Sequence, residues 1–103
     1  MIEVQYKKAK DLYPNSNWVE GKLYNRGRYY MFQAKIFPQP SEDYGIDGGH
    51  VSKLWVKSLD TGKIVADYDR GNCIGGPGMY RKGYLKELID SLTRYAIENS
   101  WET

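Results

Sequence analysis

Most of the residues able to do chemistry lie in two short segments. One is YGIDGGHVSKLW at residues 44–55, and the other is YDRGNCIGGPGMYRKG at 68–83; together they hold eight of the eleven glycines and the only histidine. Tyr44, Gly48, Gly49, His50, Ser52 and Lys53 from the first, with Arg70, Gly71 and Asn72 from the second, make a set suited to an anion. Bare glycine backbone lets a ligand approach closely, and successive amides can form an anion-binding nest. Arg70 supplies planar bidentate donors that match phosphate, and Lys53 supplies a point charge. Ser52, His50 and Asn72 add neutral hydrogen bonds, and a tyrosine adds a flat face on which a base stacks. The chain has no G-x-x-x-x-G-K-[ST], and no G-x-G-x-x-G between a strand and a helix, so neither standard phosphate loop is present.

These residues need a frame to bring them together, and the hydrophobic pattern supplies one. Ile2 to Lys8 reads as an edge strand. Trp18 to Tyr24 alternates, with Val19, Gly21 and Leu23 on one side, and Arg28 to Phe37 sets Tyr30, Phe32, Ala34 and Ile36 in one apolar row. The turn between them is ambiguous in length, and the cleaner apolar match favours a two-residue Arg26-Gly27 loop over a three-residue one. Val51 to Leu59 and Lys63 to Asp69 then form a hairpin through DTG, read as a three-residue loop with Gly62 left-handed. That register puts Leu59 opposite Lys63, Leu54 opposite Tyr68, Lys53 opposite Asp69 and Ser52 opposite Arg70. The two glycine-rich segments therefore meet at the sheet end away from DTG. A helix over about Tyr84 to Asn99 carries the stripe Leu85, Leu88, Ile89, Leu92 and Ala96.

The expected fold is α+β: an antiparallel meander of about four to five strands with one C-terminal helix packed on one face. At 103 residues the chain is expected to be a single domain over 1–103, with its core at 17–99. One helix leaves the opposite sheet face open. That face would carry Trp18, Lys22, Tyr24, Tyr29, Met31, Lys35, Lys53, Trp55 and Lys57, an unusually aromatic set for a surface meeting water. Trp18, Tyr24, Tyr29 and Trp55 are the stacking or interface candidates.

Plain structural roles compete with the chemical ones. Glycines at strand ends commonly serve turns. Lys53 with Asp69 reads equally as a cross-strand ion pair, and Arg70 beside Asp67 and Asp69 as an internal bridge. Catalysis has little support, because one histidine and one cysteine give no zinc spacing and no clustered acid–base set. No metal or other cofactor is expected. The single cysteine excludes an internal disulfide, and no segment approaches the ~20 apolar residues of a membrane span. With a net charge of +2, the chain lacks the strong basic stripe of a duplex binder. A soluble, cytoplasmic, non-enzymatic protein is the expectation.

The quoted residues also carry a resemblance. WVEG at 18, YGIDGGHVSKLW at 44, YDRG at 68 and the short C-terminal helix resemble a small uncharacterised family of Firmicutes and their phages. The resemblance spans about residues 18–98. In that family the His50 position often carries arginine, which weakens an anion-binding role for this histidine. The outline is also similar to phage anti-CBASS sponges, which bind a cyclic dinucleotide in an oligomer. That likeness implies a homo-oligomeric immune-evasion protein sequestering a small anionic nucleotide, with Gly48, Gly49, Ser52, Lys53, Arg70 and Gly71 at phosphate. The alternatives are an inhibitor of a host enzyme acting through the aromatic face, and single-strand nucleic-acid binding on that face.

Overall fold

The computed structural model of the chain describes residues 2–7, 18–37, 39–40, 42–43, 45–69, 72–73 and 77–98. Among these described residues, six strands in sequence order form one antiparallel sheet. They are β1 (Glu3–Tyr6), β2 (Trp18–Asn25), β3 (Arg28–Ile36), β4 (Val51–Ser58), β5 (Ile64–Asp69) and the two-residue β6 (Asn72–Cys73). A helix, α1 (Gly83–Glu98), covers one face of the sheet. Among the described residues this is the expected α+β meander with a C-terminal helix, and β6 extends the sheet by a further short strand.

The β2–β3 turn follows from its residues. Arg26 and Gly27 have φ of 50° and 79°, both positive as a type I′ turn requires. Asn25 therefore pairs with Arg28, Leu23 with Tyr30 and Val19 with Ala34, which keeps the apolar rows in register. The two-residue loop is the one formed.

The β4–β5 hairpin corrects the expected loop without changing its far end. Ser58, not Leu59, closes the turn: its amide donates to the Lys63 carbonyl at 2.9 Å, and the Gly62 amide donates to the Ser58 carbonyl at 2.9 Å. The loop thus runs from Leu59 to Gly62, with Gly62 at φ 73° as foreseen. Lys57 then pairs with Ile64, but Val56 pairs with Ala66, so Val65 is an extra residue in β5. This bulge cancels the longer loop, and Leu54–Tyr68 and Lys53–Asp69 pair as the shorter loop would have placed them.

The inner face buries Leu23, Phe32, Ala34, Ile36, Leu54, Val56 and Ala66 against Leu85, Leu88, Ile89, Leu92 and Ala96 of α1. β1 joins this core through Tyr6, whose ring stacks on Tyr95 at 4.4 Å and meets Phe32 edge-on at 5.8 Å. The Tyr6 hydroxyl bonds Ser91 Oγ at 2.6 Å. Gly21 opposite Tyr6 has no room for a side chain, because a Cβ there would land on the Gln5 carbonyl oxygen.

Burial raises the Tyr6 phenol above its ordinary value, and the Ser91 bond offsets part of this. Burial raises Tyr84 as well, beside the stacked ring of Tyr30. A phenol with a raised folded-state pKa stabilises the fold below its unfolded value of about 10, and that stability is lost as pH climbs through the folded value. Tyr6→Phe should lower unfolding free energy at pH 7 by about 1 kcal/mol and flatten the loss of stability above pH 10, read by denaturant titration at several pH values.

Candidate functional site

The first glycine-rich segment spends its backbone on itself. Residues Ile46–Gly48 form a 3₁₀ turn in which the Gly48 amide donates to the Gly45 carbonyl and the Gly49 amide to the Ile46 carbonyl, both at 3.0 Å. Gly48 has φ of 71°, and a Cβ on Gly45 would land on the Gly49 carbonyl oxygen. These glycines therefore allow one tight turn to close. The two amides expected to face an anion point into the loop. Below the turn, the Tyr68 hydroxyl donates to the Gly45 carbonyl at 3.5 Å, and the buried Tyr80 hydroxyl accepts the Asp67 amide at 3.1 Å. The segment is thus tied to β5.

Ser52 is also withdrawn from the expected rim. It is 3% exposed, and its hydroxyl donates to the Lys35 carbonyl at 3.4 Å. The cause is a bulge in β4. Lys35 pairs with Lys53 but Ile36 pairs with Val51, so Ser52 is the extra residue and turns inward. Beyond it, the Phe37 amide donates to the His50 carbonyl at 3.0 Å, and His50 Nδ1 lies 2.9 Å from the Phe37 carbonyl. A carbonyl oxygen only accepts, so Nδ1 carries the proton and Nε2 keeps a lone pair in the neutral ring. Asn72 pairs with Asp69 in register. Tyr44, Arg70 and Gly71 lie outside the described residues, and so does the expected Ser52–Arg70 pairing.

The four aromatic candidates share the outer face with lysines and carboxylates, in rows fixed by the strand register. One row reads Trp18, Lys35, Lys53, Asp69; the next reads Glu20, Gln33, Trp55, Asp67. A third reads Gln5, Lys22, Met31, Lys57, Ile64, and Tyr24 and Tyr29 pair beyond it with their rings 4.8 Å apart. An open hollow of about 300 Å³ lies among Trp18, Gln33, Lys53, Trp55, Asp67 and Asp69.

One feature of this face was missed in the sequence. Lys35 and Lys53 stand directly opposite one another in neighbouring strands, an arrangement that like charges disfavour. Each ammonium is drawn to other groups. Lys53 Nζ lies 3.7 Å from Asp69 Oδ1 and 5.9 Å from the Trp18 ring centre, and Lys35 Nζ lies 5.7 Å from the Phe37 ring centre. Lys53 thus holds the cross-strand pair with Asp69 that its position foretold. The signal for Lys35 was hidden because the long β3–β4 connection carries no turn geometry from which to read a register.

Among the described residues, no three His, Cys, Asp or Glu side chains are grouped as a metal site. Among the described residues, no helix is long and apolar enough to cross a membrane. The glycine turn yields a direct test. Gly45→Ala should destabilise the protein by about 1–3 kcal/mol through forced overlap with Gly49, whereas Gly78→Ala, where a Cβ meets open space, should change the melting temperature little.

Curated proteins and solved structures provide no match to the chain. A family model does match, over residues 17–93, a span that takes in β2 to β6 and the first eleven residues of α1. The chain belongs to this family, a domain of unknown function designated DUF7678.

Proposed function

We propose that the protein is a non-catalytic binding domain that sequesters a small anionic nucleotide at the Trp18–Lys35–Lys53 corner of its open sheet face. The observation that carries this reading is the directly opposed pair Lys35 and Lys53, with an aromatic ring beside each ammonium. A phosphate set between two ammonium groups removes their mutual repulsion, so the pair favours an anion. Aromatic faces at the same corner suit the base of a nucleotide better than they suit bare phosphate. His50, paired with Phe37 next to this row, offers Nε2 as a further polar contact. In this reading Lys53 and His50 are ligand contacts and Lys35 joins them, whereas the Gly48 and Gly49 amides and the Ser52 hydroxyl are engaged within the chain. The likeness to phage sponges makes a cyclic dinucleotide the first ligand to try, with immune evasion as the biological setting.

Sequestration needs only tight reversible binding, so the ligand should be recovered unchanged. Thermal melts of the pure protein with a panel of cyclic di- and trinucleotides should show a rise of several degrees, on the order expected for a ligand well above its Kd. Denaturation should then release the intact nucleotide. Lys35→Ala with Lys53→Ala should remove the rise. A melt unmoved by every nucleotide, or a rise indifferent to the double lysine variant, would sink this reading.

A further inference from the structure

We propose that the outer sheet face is the interface of a two-fold dimer of this chain. An antiparallel sheet covered on one side normally presents polar side chains on the other. Here the open side carries Trp18, Trp55, Tyr24, Tyr29 and Met31 among its charges, the mixture of aromatic anchors and rim charges that marks interfaces. The apolar character continues at the hairpin end of the sheet, where Tyr29, Leu59 and Ile64 are each about half exposed and the Leu59 amide donates to the Tyr29 carbonyl.

What identifies the occupant is the order of charges in the rows. A symmetric interface must complement itself, because each residue meets the image of another residue of the same patch. Consider a two-fold axis lying across the strands, between the row Lys22–Met31–Lys57 and the row Glu20–Gln33–Trp55. It sets Lys22 against Glu20 of the second copy, Lys57 against Trp55 and Met31 against Gln33. In the outer rows it sets Tyr24 against Trp18 and Tyr29 against Lys35. Lys22, Lys57 and Lys35 then each meet a carboxylate or an aromatic ring, and no like charges oppose among these pairs. The other two-fold, along β3, sets Lys22 against Lys57 and Lys35 against its own image, so charge alone selects the first. Strands of the two copies run nearly aligned under this axis, the common geometry for stacked sheets. Glu20, already held by Lys7 at 3.3 Å and Gln33 at 3.4 Å in its own chain, is pre-positioned for Lys22 of the second copy.

The dimer is argued from Lys22 and Glu20 and not from the ligand reading, but it sets Tyr24 and Tyr29 of the second copy beside Trp18 and Lys35, so the nucleotide corner lies at the seam between copies. Sedimentation velocity of the full chain tests it. The wild-type chain should sediment with the mass of two chains. Lys22→Glu and Glu20→Lys should each weaken dimerisation at least about tenfold, because each sets like charges across the axis. The double variant Lys22→Glu/Glu20→Lys should dimerise again, since the pair is regenerated with its signs exchanged. Circular dichroism melts keep folding separate from association. A monomeric wild type overturns the proposal, as does a folded double variant that stays monomeric, or a monomer that docks a different protein on this face. The two proposals fail on different residues: the dimer on Lys22 and Glu20, the nucleotide melts on Lys35 and Lys53.

Discussion

The burial of one helical stripe against one side of a sheet is the constraint from which the rest of this molecule follows. Leu85, Leu88, Ile89, Leu92 and Ala96 sit on a single side of α1, and they meet Leu23, Phe32, Leu54 and Val56 on the inner face. Burying a side chain of that size is worth about 1.5–3 kcal/mol, so strand positions facing α1 have little freedom in residue type. A one-residue slip in any strand would expose this row and bury lysines. The same alternation that fills the core therefore decides what stands on the open side.

Two bulges reconcile that alternation with awkward connections. Val65 absorbs the extra residue of the Leu59–Gly62 loop, and Ser52 absorbs a register shift between β3 and β4. Neither disturbs the core, because each extra residue sits where the pairing changes and the rows on both sides stay in phase. The Ser52 bulge has the larger chemical consequence. It buries a hydroxyl that is satisfied by the Lys35 carbonyl, and beyond it Phe37 and His50 continue the pairing. The opposed lysines lie just before this point, at the corner where aromatic rings are close by.

The glycines at 45, 48 and 49 are accounted for by turn closure. Gly45 lies so close to the Gly49 backbone that no side chain fits on it, and Gly48 takes a positive φ to complete the turn. Such demands produce the same local composition as an anion cradle, because both need backbone free of Cβ atoms. What separates them is where the amides point, and in this turn those of Gly48 and Gly49 point inward. Basic and aromatic residues spaced two apart along neighbouring strands carried more information, since a shared face follows from alternation alone.

From the amino-acid order by itself came the α+β meander, the stripe on α1, the Arg26-Gly27 turn and the membership of the open face. Each rests on a local rule: a period of two in strands, 3.6 in a helix, or φ > 0 at a particular turn residue. The pairing of Lys53 with Asp69 was also legible, although two compensating departures at the hairpin lay behind it. Tertiary structure alone decided the opposition of Lys35 and Lys53, the inward turn of Ser52 and the direction of the glycine amides. A long connection leaves strand register open in steps of two, each step keeping the same residues on the same face. Only packing against the remaining strands and α1 picks one step, and with it which charges become neighbours.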